Sequence, residues 1–222
     1  MPTVSSRRET YRVSTGESGR YLHPDVRRRQ IVEAASRVFA EKGFPATRMS
    51  DIAAEANIAQ GTIYRFFDSK EEIAKAVFEV SEEICRAALQ RILRESPDGD
   101  AKAILGRYIA WYVRFLARGR RIVAALFAWE VDTNGRSGSD IGWTHWRGEQ
   151  LGRLLKEAGV EEIEGTDMGR LLPLLIYSLT ALSNLHAEDS QEDEEALGRR
   201  IIDIVERLFD VEVPKEKGGP KR

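Results

Sequence analysis

The chain has 222 residues, of which 42% are apolar and 32% charged, a globular composition and not that of a disordered or fibrous protein. Lys and Arg number 34 against 36 Asp and Glu, so a net charge of -2 excludes a polybasic coat for nucleic acid. Cys85 is the single cysteine, which excludes a disulfide framework and a Cys-based zinc site and fits a reducing compartment.

Residues 1–22 hold Ser, Thr, Gly and Arg with few large apolar groups, and they read as a disordered arm without the apolar segment of a secretory signal. A first helix is predicted from about Pro24, because Ile31, Ala34, Ala35, Val38 and Phe39 recur three and four residues apart, and Gly43 stops it. A second runs from about Arg48 to Ala56, with Thr47 as its cap and Met49, Ile52, Ala53 and Ala56 inward. A third runs from about Gln60 to Phe67. Asn57, which tolerates left-handed backbone, sits in the tight turn between them. Two short helices joined this way describe a helix-turn-helix.

Asp68-Ser69-Lys70-Glu71-Glu72 is a helix start, and a fourth helix follows to about Arg94 on Ile73, Val77, Val80, Ile84, Ala88 and Ile92. Ser96-Pro97-Asp98-Gly99 breaks it. Helices are then predicted over 101–117, 120–131, 141–158, 167–185 and 194–209, and no β alternation competes. Six acids in the eight positions 188–195 read as a solvated linker, and the polar stretch from 214 as a disordered tail. The fold class is all-α.

Charge divides along the chain. The first 70 residues carry twelve basic and eight acidic groups, leaving that head four charges positive and the remainder six negative. A basic head is suited to phosphate.

The stretch Gly43 to Glu71 contains G-F-x-x-T, I-A-x-x-A, G-T-I-Y-x-x-F and S-K-E without a gap. With the first helix it resembles, over about residues 25–75, the DNA-binding domain of TetR-type transcriptional regulators. The chain departs from the usual pattern in having Asn57 in the turn, Ala59 before the recognition helix and Phe66 before Phe67. The resemblance implies a three-helix head over 23–72, a larger ligand-binding and dimerisation body over 73–212, and a tail over 213–222.

Candidate DNA contacts are Thr47, Arg48, Gln60, Gly61, Thr62, Tyr64, Arg65 and Lys70. Small Gly61 lets the start of the recognition helix approach the duplex, where amides and the helix dipole favour phosphate. The Tyr64 hydroxyl is a phosphate donor, Arg65 is suited to guanine O6 and N7, and Lys70 and Arg48 are point charges for the backbone. Ile63 and Phe67 are expected in the core with Phe39 and Ile52. Aromatic residues crowd the body, and Tyr108, Trp111, Tyr112, Phe115, Trp129, Trp143, Trp146 and Tyr177 are the candidate lining of an effector pocket.

The resemblance further implies a homodimer through the helices at about 167–187 and 194–209. That symmetry sets two recognition helices about 34–36 Å apart on a pseudo-palindromic double-stranded operator. A small-molecule effector would favour another spacing, with the fourth helix as the lever, and repression is the expected mode. An enzyme is not expected: there is no P-loop, dinucleotide fingerprint, G-x-S-x-G or H-E-x-x-H. No cofactor, metal or membrane partner is expected, and the protein is read as cytoplasmic. The rival class is a helical module that binds protein instead of DNA.

Overall fold

Pro24 opens the first helix, where a missing N–H costs nothing, and α1 spans Pro24–Lys42 in the computed structural model. The structure describes residues 23–96, 99–132, 145–160, 167–185, 194–209 and 211–214. The predicted stripe of α1 is buried throughout, from Ile31 to Phe39. Gly43 ends the helix at φ +76°, where its N–H donates to the Phe39 carbonyl; glycine adopts that φ without strain.

Helix α2 (Met49–Glu55) is capped differently from the expectation. Arg48, not Thr47, is its N-cap. The Arg48 N–H donates to Asp51 Oδ2 at 2.9 Å, while buried Thr47 turns its hydroxyl back to donate to the Gly43 carbonyl at 2.7 Å. Asn57, at φ +52°, makes the turn. Helix α3 spans only Gln60–Ile63, and tighter turns, not helix, carry the chain to Phe67. The Arg65 and Phe66 amides donate three residues back, to the Thr62 and Ile63 carbonyls. This winding places both Ile63 and Phe67 in the core.

Helix α4 (Lys70–Arg94) starts as predicted: Ser69 Oγ accepts the Glu72 N–H, and Glu72 Oε2 accepts the Asp68 N–H. Its buried face differs from the prediction in part. Val80 and Ile84 stand 40% and 44% exposed, while Phe78, Glu82, Cys85 and Leu89 turn inward. The reason is polar: Glu82 meets a buried arginine in the body.

Five further helices complete the described residues, all-α and without a strand: α5 (Ala101–Arg118), α6 (Arg120–Asp132), α7 (His145–Glu157), α8 (Met168–Leu185) and α9 (Glu194–Phe209). Helix α6 packs on α1 and α8, α7 on α5 and α8, and α9 on α5. One apolar core therefore runs from Ile31 in the head to Val213. Each fully buried Leu, Ile or Phe in it contributes about 1.5–3 kcal/mol.

The stretch after α9 packs back on the body. Val211 and Val213 are buried, and Glu206 Oε1 accepts the Val213 N–H at 2.8 Å. Gly106 makes room, since a Cβ there would fall on the Glu212 carbonyl oxygen. The arm over 1–22, residues 141–144 with Trp143, the acidic stretch 188–193 and the tail from 215 lie outside the described residues. Among the described residues no helix is long and apolar enough to cross a membrane.

Candidate nucleic-acid interface

Several contacts centred on Gln30, Arg28 and Asp51 hold this end of the molecule in place. Gln30 of α1 donates through Nε2 to the Ala56 carbonyl at 2.7 Å, and Arg27 donates to Gln30 Oε1 at 2.8 Å. This pins the turn between α2 and α3 to α1. The Arg28 guanidinium lies 4.3 Å from the centre of the Phe67 ring, pinning the other end of the reading segment. Asp51 accepts from both the Arg48 backbone and Lys42 Nζ, the latter at 3.0 Å. The Arg48 amide first, and then Lys42, hold its carboxyl below the usual range.

Against this frame the candidate contacts separate into two groups. Arg48, Gln60, Gly61, Tyr64 and Arg65 are exposed, and Thr62 is half-buried. Tyr64 presents 49% of its surface, while its neighbour Ile63 presents none. A Cβ built on Gly61 meets nothing within 4 Å, so the start of α3 is open to an approaching duplex. With four residues α3 has few aligned peptides to sum into a dipole. Anion attraction there falls chiefly to side chains.

Thr47 and Lys70 form the second group, whose polar ends are bonded within the chain. Buried Thr47 spends its hydroxyl on Gly43. Lys70 Nζ donates to the carbonyls of Phe44, Pro45 and Thr47 at 2.9, 3.1 and 3.1 Å. An ammonium has three donors, and these contacts use all three. Ala59 is the N-cap of α3 and makes no side-chain cap bond, as its methyl requires. Nothing in the sequence pattern distinguishes a lysine that grips its own loop from one that grips phosphate.

In the body, the described candidate aromatics fall into separate groups. Tyr108, Trp111, Tyr112 and Phe115 form a stacked row along α5, with ring centres 5.3–5.9 Å apart. Tyr177 belongs to another cluster, against Phe78 and Phe127, and its hydroxyl donates to the Val123 carbonyl at 3.4 Å. Trp146 is half-buried at the core edge, and Trp143 lies outside the described residues. The Trp129 ring stacks on Phe44 of the head, centres 4.6 Å apart.

The polar centre beside that row is Arg147, which is 1% exposed. Its guanidinium pairs with Glu82 of α4 at 2.7 Å, approaches the Tyr108 hydroxyl at 3.5 Å and lies 5.4 Å from the Tyr112 ring centre. Burial raises both tyrosine hydroxyls above their ordinary range and pushes the nearby Cys85 thiol up to about 12. Cys85 is therefore a protonated packing group and not a nucleophile. A cleft of about 530 Å³ between α7 and α8 is lined by Gly148, Gly152, Arg153, Lys156 and Met168 among others, and by none of the candidate aromatics among the described residues.

Residues 31–77 match the family described as bacterial regulatory proteins, tetR family. The HTH-type transcriptional regulator YfiR of Bacillus subtilis (strain 168) is 30% identical over 175 residues, covering 75% of this chain and 78% of that one. The fatty acid metabolism regulator protein of the same bacterium is 45% identical over 49 residues, 22% of this chain and 25% of that one. Among solved structures, Thermus thermophilus FadR in complex with lauroyl-CoA has a TM-score of 0.60 at 17% identity, covering 88% of this chain and all of that one. AibR, solved with isovaleryl coenzyme A and operator DNA, has a TM-score of 0.58 at 18% identity, covering 83% and 99%. At those identities the likeness is one of fold.

Proposed function

The chain belongs to the tetR family of bacterial regulatory proteins and is a helix-turn-helix transcriptional regulator, and from that premise we propose that it is a ligand-responsive repressor acting as a homodimer in the cytoplasm. The observation that carries this reading is the division within one short segment. Ile63 and Phe67 are buried while Gln60, Gly61, Tyr64 and Arg65 are exposed, on a turn pinned at both ends by α1. A surface so fixed is preorganised for base edges: Arg65 takes guanine O6 and N7, and Tyr64 and Arg48 take phosphate.

Dimerisation is read from α8 and α9. Leu174 and Leu208 are 45% and 62% exposed, and Leu171, Leu175, Leu179 and Ile202 are only partly covered. A second copy would cover this surface isologously. The effector site is read around the α5 aromatic row and Arg147, where an entering ligand has to compete with the Arg147–Glu82 pair. Glu82 sits on α4, whose first residue adjoins the head, so that competition would bear on the spacing of the two reading ends. Because FadR and AibR were solved with acyl thioesters of coenzyme A, lauroyl-CoA and isovaleryl-CoA are the first effectors to try.

The test is selection from a random duplex library by the purified protein near physiological salt. The reading expects an inverted repeat with half-site centres about one helical turn apart. A library left unenriched, or a lone half-site bound by a monomer, is incompatible with it. Acyl-CoA added to the selected complex should release DNA, and release by neither ester removes the acyl-CoA assignment alone.

A further inference from the structure

A lysine at the start of the fourth helix is placed as a point charge for phosphate, but Lys70 here is engaged within its own chain. Its ammonium sits in a cradle of three carbonyls, all from the loop 44–47 that leads into α2. It also lies 4.6 Å from the centre of the Phe44 ring. Phe44 is 4% exposed, and its ring is in turn stacked on Trp129 of α6 at 4.6 Å, the planes 29° apart. A cation, a ring and a second ring thus stand in line, from the first residue of α4 through the loop before α2 to α6.

We propose that Lys70, Phe44 and Trp129 are positioning residues that form one coupling column, through which the body sets the pose of the reading segment. This rests on the reading that the head binds DNA. The three links are of unequal kind. The ammonium–carbonyl bonds are directional and charge-assisted, so they fix the loop relative to the α4 terminus. The Phe44–Trp129 stack is broad and apolar, so it transmits a shift of α6 as a shift of the loop. Both α4 and α6 run on into the body, one carrying Glu82 and the other packing on α8. A rearrangement of either therefore reaches the same loop. The Thr47 amide, bonded to the Phe44 carbonyl at 3.2 Å, and Arg48, the N-cap of α2, follow it directly.

Two measurements on the full-length chain test this. The first is amide hydrogen exchange in the free protein, which needs no DNA. Lys70→Met and Trp129→Leu should each accelerate exchange at residues 44–48 by about tenfold or more, while Trp129→Phe, which keeps a stacking ring, should restore protection. The second is binding to a random-sequence 30-base-pair duplex across a salt series. A phosphate contact contributes close to one unit of the log–log salt slope. Lys70→Met should weaken binding and leave the slope unchanged. A slope lowered by about one, with exchange at 44–48 unaltered, would make Lys70 a phosphate ligand and overturn the proposal. Unaltered exchange in Trp129→Leu would remove α6 from the column. If the wild type shows no salt-dependent binding to any duplex, the DNA reading fails while the exchange result still decides whether the column exists.

Discussion

Asp51 shows how much of the reading surface is set by one short side chain. It caps α2 through the Arg48 amide and draws in Lys42 from the end of α1. Its folded pKa is depressed, so the stability it contributes is present above the unfolded value near 3.8 and is lost as pH falls through the folded value. Asp51→Asn should be less stable than the wild type at pH 7. As pH falls below 3.8 and through the folded value, the gap should close, because the wild-type carboxyl protonates. Urea titrations at pH 7 and below the folded value check this, and a gap that persists at low pH would mean that packing, not the carboxylate, matters. Asp51 three residues past Arg48 is a visible capping pattern, and the exposed Tyr64 and Arg65 were legible from the spacing of Ile63 and Phe67. The roles of Lys70 and Thr47 were not. Each is decided by which carbonyls the folded loop presents, and a one-dimensional pattern does not encode that.

The helices themselves were largely legible, because apolar period, Gly43, Asn57 and the Ser69 cap each act within a few residues. Departures occur where a partner from elsewhere intervenes. Helix α4 turns Phe78 and Glu82 inward because Arg147 waits on α7, 65 positions along the chain from Glu82. Val211 and Val213 pack back on the body, and Gly106 leaves room on α5 for that stretch. Helices α7 and α8 cross closely at Gly148, Gly152 and Gly169, and a Cβ on Gly169 would fall on the Gly148 carbonyl oxygen. It would also meet the Gly152 backbone nitrogen, and neither obstacle is the flexible end of a side chain, so the helices have to part. Gly169→Ala should cost about 1–3 kcal/mol, against the small gain alanine normally brings to a helix interior. Thermal unfolding measures it, and an unchanged or raised Tm would show that the crossing yields freely.

For the assembled protein, the sequence resemblance carried the architecture further than composition did. A head that is basic by four charges is too weak a signal alone, whereas a gap-free run from Gly43 to Glu71 identifies the reading unit and, with it, the expected body. The body's interior was the least legible part. Eight aromatics were grouped by sequence proximity, and the fold distributes the described ones among the α5 row, the Tyr177 cluster, the core edge and the head junction. If α8 and α9 pair with their copies, Leu174→Glu and Leu208→Glu together should shift sedimentation from dimer to monomer. DNA affinity should fall with it, because each head alone spans only one half-site. A stable dimer in that double variant would place the interface elsewhere.

In the proposed function, the Tyr64–Arg65 surface reads sequence as one half of a symmetric pair. The most direct measurement is the duplex selection run in parallel on the wild type and on Arg65→Ala. Both proteins should select one inverted repeat, with the variant losing preference at a single base pair in each half-site. That loss corresponds to about 1–3 kcal/mol of discrimination. Identical preferences at every position would contradict it, and so would a variant whose affinity falls evenly across all sequences.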